Sequence, residues 1–436
     1  MLYPSDTVIP LIDCDHEMRS CFNHIVARDV SDDEWEQAKL PTRHGGCGLT
    51  DPLLIRPAAA MASARATALL LVKAHQHSNL SIFDDMLIAL KSQSHVKQAA
   101  ITLNAAAIDV GATTDTFLPP LNALHSSVNC PSQRDMSGVL HLQRQRKLLD
   151  KLMRVDRQKA AWLRSCASFG SGSWLHSVPS IEAFQCDKEE FRMMLMIRLG
   201  IKQCHATPQE IPRCACSAVH SQRIASGSHY HTSCNAVAKQ RNDRHHAFRN
   251  LVYKMCQEAG LKPRHRYNHE PAGLAGGSSN ARPADVLVPP SAARNNGLDR
   301  ALDTVVCDPQ AAASIEGKSY LKALVATQLA GKQKMDEFEA HRNAVGPGVV
   351  SVDKVPLSVE SSGAWGKELR ALWKELKSLH RSNNNESYIR QGKPHTWSAF
   401  TFAQHWPQRI SFMINRTTAR MVMDGLKASR IFLSTA

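Results

Sequence analysis

Glu270, Asp285 and Asp303, followed by Lys332 or Lys334, are the residues whose types and order in this chain could do chemistry. Asp285 opens the apolar run Asp285-Val-Leu-Val288, and Asp303 lies within Ala301-Leu-Asp-Thr-Val-Val306. Both runs have the length and β-branched content of strands. Adjacent strands lie about 4.8 Å apart, so one carboxylate from each can reach a single cation. Cleaving a phosphodiester needs a nucleophilic water, neutralised phosphoryl oxygens and a protonated leaving oxygen. Mg²⁺ held by hard carboxylate oxygens supplies much of that. Asp285 and Asp303 are therefore expected as magnesium ligands and Glu270 as a third acidic one. Lys334 or Lys332, on a following helix, is expected to orient or activate the water. Asp303-Thr-Val305 has no lysine two residues on, so the ammonium must come from another element. The competing reading of each acid is a solvated strand edge, although an aspartate at an apolar strand position is costly without a partner.

A second group of chemical residues precedes these. Cys214-Ala-Cys216, His229 and Cys234 offer the donor types of tetrahedral Zn²⁺, with His231 competing for the place of His229. A loop of this size has little core of its own, and a structural metal would be what folds it. The competing reading is a set of free thiols. The other cysteines, Cys14, Cys21 and Cys166 among them, are scattered and read as small buried hydrophobes rather than a disulfide scaffold. That usage suits a reducing compartment, nucleus or cytoplasm.

Charge narrows the partners. The chain of 436 residues carries a net charge of +14 and a pI near 9.3, so nucleic acid, DNA first and RNA second, is the expected partner by electrostatics. No uninterrupted apolar run approaches the roughly 18 residues of a membrane span, and the N-terminus lacks the basic and apolar regions of a secretory signal. No membrane partner is expected.

The elements that must position these groups form a multi-domain α+β chain. Residues 1–205 read as a helical region. It has a capping box at Ser31-Asp-Asp-Glu34, an Ala/Leu-rich helix near 57–74, a basic helix near 137–168 and another helix at 181–199. The glycine-rich segment Leu40-Pro-Thr-Arg-His-Gly-Gly-Cys-Gly48 lacks the lysine and spacing of a phosphate-binding loop and reads as a turn. The basic residues of the 137–168 helix could track a phosphate backbone or form a solvated face. Residues 206–242 hold the Cys/His segment. Residues 243–380 follow the order αβββαβ. They comprise a helix at 245–260, strands near 264–270, 284–288 and 301–306, a helix near 317–342 and a strand at 354–360. A further helix at 365–378 and a helical tail in 381–436 complete the chain.

Taken in order, several of these segments resemble the C-terminal portion of non-LTR (LINE-like) retrotransposon polyproteins with a restriction-enzyme-like endonuclease. The carriers are the Leu40–Leu49 loop, Cys-x-Cys…His-x4-Cys, Arg244-His245, Glu270-Pro, Arg282-Pro-Ala-Asp285 and Leu302-Asp303-Thr-Val. Pro356-Leu-Ser-Val-Glu360-Ser-Ser-Gly-Ala-Trp365-Gly closes the series. The resemblance implies a reverse-transcriptase thumb-like and linker region, a zinc knuckle and a PD-(D/E)xK-type nuclease domain that nicks target DNA to prime reverse transcription. It implies Asp285 and Asp303 as metal ligands, Lys334 as the catalytic lysine, and Cys214, Cys216, His229 and Cys234 as zinc ligands. Two departures stand out. Where the family has a Lys-Tyr pair, this chain has Glu337-Phe338, and no Tyr/Phe-x-Asp-Asp palm motif is present. The chain alone cannot polymerise DNA, and a reverse transcriptase would come from a fuller element. The alternative is a catalytically inactive retroelement remnant that binds nucleic acid through basic helices and the knuckle.

Overall fold

The computed structural model describes residues 8–78, 81–113, 117–119, 121, 130–202, 214, 216, 226–265, 284–290, 297–345, 352–383, 387–389 and 391–428. Among them the fold is mixed α+β and mostly helical. In chain order the helices are α1 (Val8–Val26), α2 (Asp32–Ala38), α3 (Pro52–Ser78), α4 (Ile82–Ser92), α5 (Ser94–Asp109), α6 (Gln133–Val155), α7 (Arg157–Cys166) and α8 (Lys188–Arg198). Then come α9 (Ala238–Glu258), strands β1 (Arg264–His265), β2 (Val286–Val288) and β3 (Arg300–Cys307), the short α10 (Ala312–Glu316), α11 (Val325–Val345), β4 (Asp353–Glu360), α12 (Lys367–Asn383) and α13 (Phe402–Ala428).

The chain divides into two compact units. The first holds residues 1–44 and 48–151, the second 45–47 and 152–436. The division therefore falls inside the 1–205 segment read from sequence. The 206–242, 243–380 and 381–436 segments share the second unit.

In the first unit α3 packs on α4 and α5 through small residues: Ala58, Met61, Ala64 and Ala68 meet Leu90, Val96, Ala99 and Leu103. The helix Pro52–His77 is long and apolar enough to cross a membrane by length and composition alone. The predicted capping box is present before α2, with Glu34 N–H donating to Ser31 Oγ and Ser31 N–H to Glu34 Oε2. Asp51 caps α3 through Leu54 N–H and also takes Lys39 at 3.1 Å and Arg144 at 2.6 Å. Arg144 reaches Glu36 as well, and Lys151 reaches Asp33. Two of the basic residues on the 137–168 stretch are thus held by acids of their own unit. That stretch is also two helices: Asp156 leaves the helical path and caps α7 through Lys159 N–H.

The second unit is built on a four-stranded sheet in the order β1-β2-β3-β4. β1/β2 and β2/β3 are antiparallel, and β3/β4 is parallel over its full length. The parallel pair requires a crossover, which α11 provides. The predicted αβββαβ order is present, with two changes of extent. The helix expected at 317–342 starts at Val325, after the separate turn of α10, and the strand expected at 264–270 is described only at 264–265. Phe248, Leu251, Val252 and Met255 of α9 and Ala259, which caps its C-terminus, share a core with Val286, Val288, Leu302, Leu357 and Val359 of the sheet and Leu369, Leu372 and Leu376 of α12. Phe402, Trp406, Ile410 and Ile414 of α13 enter the same core, where this helix packs against α9.

β4 ends in a buried joint. Glu360, Ser361, Ser362, Ala364 and Trp365 are all at most 1 % exposed. Ser361 N–H donates to Cys307 O, and Trp365 N–H to Phe169 O. Asn415 Nδ2 and Ser171 Oγ donate to Ser362 O, and Glu360 accepts from Ser165 Oγ. Gly170, at φ +92°, lies against Trp365, where a Cβ would approach the indole to 2.5 Å, so only glycine fits.

Burial pushes the Glu360 carboxyl up to about 7; the Ser165 hydroxyl opposes the shift and the Asp308 charge adds to it. The folded protein keeps a proton that the unfolded chain releases above about 4.5, the ordinary glutamate value. Stability should therefore fall as pH rises from about 4.5 to about 7 and level off above. Glu360→Gln should remove that slope. In urea midpoints it should be near neutral at pH 4.5 and stabilising at pH 8, by at most about 3 kcal/mol.

Candidate metal and phosphodiester site

The sheet register brings the acid-bearing strands together. Val286 pairs with Leu302, so Asp285 stands beside the Asp303-Thr304 step, and its N–H donates to Leu302 O at 2.9 Å. Asp285 Oδ2 accepts from Thr304 N–H at 2.8 Å and Thr304 Oγ1 at 2.6 Å. Asp285 Oδ1 accepts from His245 Nε2, 3.2 Å away on α9. Burial alone would raise this carboxyl, but His245 and Thr304 outweigh it and hold the group near about 2. The aspartate is thus ionised and fixed in direction.

Asp303 faces two ammoniums. Lys354 Nζ, from β4, lies 2.8 Å from Asp303 Oδ2, and Lys334 Nζ, from α11, lies 3.6 Å from the same oxygen. Lys334 also pairs with Glu337, one turn along its helix. Phe338 lies under Lys354, with Nζ 5.4 Å from the ring centroid. Of the two lysines read from sequence, Lys334 is the one that meets Asp303, and Lys332 is exposed. Glu270, Arg282 and Pro283 lie outside the described residues.

Lys354 was not legible as a site residue. It opens a strand whose partner and register nothing local specifies, and the parallel pairing sets it opposite Ala301, one step from Asp303 on the same face. Thr304 carried no signal either. His245 entered only through its position in the Arg244-His245 pair.

Asp285 and Asp303 offer hard oxygen donors. Mg²⁺ favours such oxygens, but among the described residues the one group of three or more ligand side chains gathered around a common point is Cys214, Cys216, His229 and Cys234. The Lys334 side chain is partly exposed, so solvent can reach it.

The cysteine and histidine ligand atoms come together separately. Sγ of Cys214, Cys216 and Cys234 and a ring nitrogen of His229 all lie within 4.8 Å of one another, and this group could hold a metal ion such as zinc. Cys214 and Cys234 Sγ are 3.3 Å apart, and Cys216 Sγ is 3.2 Å from His229 Nε2. Burial, reinforced by Cys214, pushes the Cys234 thiol up to about 12, a shift that a bound dication would reverse. Cys216 N–H points at Cys214 Sγ, 3.5 Å away.

His231 goes elsewhere. Its ring lies against Trp162 at 5.1 Å between centroids, and its Nδ1 is 3.4 Å from Ser361 Oγ at the β4 joint. The group is also not a free-standing loop. Tyr230 is fully buried against Gly425 of α13, where a Cβ would come within 2.3 Å of the ring. The buried Arg244 donates to His231 O and Thr418 Oγ1, and Arg241 donates to Thr232 O. The expectation that metal alone folds this segment is corrected for residues 226–237, which α9 and α13 hold directly.

No family model matches the chain, and no curated protein matches it significantly.

Cys214→Ala and Cys234→Ala should each remove tightly bound metal and lower the melting temperature. Cys256→Ala, buried but outside the group, should leave metal content unchanged. Elemental analysis of purified variants, with melting curves before and after chelation, reads both effects. Equal metal content in all three would rule the site out.

Proposed function

We propose that this chain is the metal-dependent DNA endonuclease module of a retrotransposon-derived protein, nicking target DNA so that reverse transcription is primed there. The observation that carries the reading is the helix-borne Lys334 beside Asp303 of β3, with Asp285, at the start of β2, bonded to the next residue, Thr304. The αβββαβ order supports a restriction-endonuclease-like, PD-(D/E)xK-type domain. The preceding helices fit a thumb-like and linker region, and Cys214, Cys216, His229 and Cys234 fit a zinc knuckle. The net charge of +14 suits DNA, and RNA, as partners in the nucleus or cytoplasm, with a reverse transcriptase supplied by a fuller element.

In this reading Asp285 and Asp303 would hold Mg²⁺, which when bound would supply charge neutralisation and water activation. His245 and Thr304 keep Asp285 ionised and directed at the site. Lys334 orients the water and offsets charge on the scissile phosphate, and Glu270 is proposed as a third acidic ligand.

One observation favours the alternative, an inactive remnant that binds nucleic acid. Asp303 already has two ammonium partners, which offset the charge a cation would meet. A nicking assay on supercoiled plasmid separates the two. The nuclease reading expects Mg²⁺-dependent relaxation, abolished in Asp285→Ala and Asp303→Ala and slowed in Lys334→Met, with DNA affinity retained in the aspartate variants. Salt-dependent binding with no metal-dependent nicking by the wild-type chain would leave the remnant.

A further inference from the structure

We propose that Lys354 is a positioning residue of the acidic site, fixing Asp303 from the neighbouring strand and leaving Lys334 to face substrate; the inference rests on the nuclease reading and deepens it. The two ammoniums differ in burial. The Lys354 side chain is 3 % exposed and 2.8 Å from Asp303 Oδ2, whereas that of Lys334 is 32 % exposed and 3.6 Å away. An ammonium buried to that degree cannot touch a polymeric substrate, so whatever it contributes passes through the carboxylate it binds.

The sheet explains why the lysine is held there. Lys354 pairs with Ala301, whose small side chain leaves room for the lysine stem along the face. Asp303 pairs with Pro356, which offers no side-chain donor of its own. The Phe338 ring of α11 closes over the ammonium. A lysine whose stem and head are packed on strand and helix loses less freedom in orienting Asp303 than a solvent-facing one. Both ammoniums converge on Oδ2, so Oδ1 is the oxygen they leave to a further cation. Asp285 is oriented in a parallel way by Thr304 and His245. Asp303 is thus anchored through Oδ2 alone, whereas Asp285 is held on both oxygens, and outer partners of this kind commonly direct metal-binding carboxylates.

The test uses the full chain with Lys354→Met, Lys354→Arg, Lys334→Met, Asp303→Asn and the Lys354→Met/Asp303→Asn pair. Four quantities are read: plasmid nicking at saturating Mg²⁺, duplex affinity by anisotropy in Ca²⁺, Mn²⁺ binding by the paramagnetic signal of the free ion, and melting temperature. Lys354→Met should slow nicking and weaken Mn²⁺ binding about tenfold or more, with duplex affinity unchanged and partial recovery in Lys354→Arg. Lys334→Met should instead weaken duplex binding. In the Asp303→Asn background Lys354→Met should leave Mn²⁺ binding unchanged, because its target is gone, and should raise the melting temperature, because it removes a buried ammonium that has lost its counter-charge.

Unchanged or tighter Mn²⁺ binding in Lys354→Met would overturn the proposal, making the ammonium a bystander or a competitor of the metal. Additive losses in the double variant would overturn it too. Wild-type chain that binds Mn²⁺ with the expected dependence on Lys354 but nicks no DNA would remove the nuclease reading and leave the positioning role standing. Wild-type chain that binds no Mn²⁺ would remove both.

Discussion

The second unit depends on the joint at the end of β4, where a strand, two helices and a loop meet around buried polar groups. Ser361 N–H bonds back to β3, Ser362 O takes donors from α13 and from Ser171, and Glu360 is held by Ser165 of α7. Buried polar groups cost free energy unless they find partners, so the bonds made here hold the joint in one geometry, while Glu360 Oε1 and Trp365 Nε1 are buried without a hydrogen-bond partner. Trp365 then inserts between Phe169 and Trp373 with edge-on ring contacts, anchoring the start of α12. If the joint shifts, the parallel β3/β4 pairing shifts with it.

That pairing places two clusters of polar groups along the sheet. Around the middle of β3, Asp303 meets Lys354 from β4, while Asp285 arrives from β2 on the other flank. At the C-terminal ends of β3 and β4, His231 reaches Ser361, and Arg244 reaches Thr418 and His231 O. The cysteine-rich group and the acidic group are therefore parts of one framework. α9 links them, since Arg244 turns toward the joint while its neighbour His245 turns to Asp285.

Local rules were the legible part of the sequence. Ser31 and Glu34 announced the start of α2, and the spacing of Phe248, Leu251, Val252 and Met255 announced the buried face of α9. Period and composition located the strands around Asp285 and Asp303. What stayed hidden depended on pairing across long separations. The apolar stripe of α13 (Trp406, Ile410, Ile414) does not say which surface it covers, so a helix of the sheet's core has the sequence of a tail. Lys354 looks like an ordinary strand-opening lysine because parallel register is set by the whole crossover. His229 and His231 are equivalent in spacing, and only the 3₁₀ turn over Ser228–Tyr230 sends their side chains to different neighbours. Asp156 has the cap chemistry that splits the basic stretch, but the helical pattern runs on either side of it and masks the break.

The contribution of α13 to the sheet's core has a consequence for how the chain matures. Ile410 and Ile414 belong to the core that also holds Phe248, Leu302 and Leu357. While the ribosome is still elongating, the sheet, α9 and α12 are already made but lack this covering, and apolar surface on them stays open to water. A nascent chain in that condition is a natural client for a chaperone until α13 emerges.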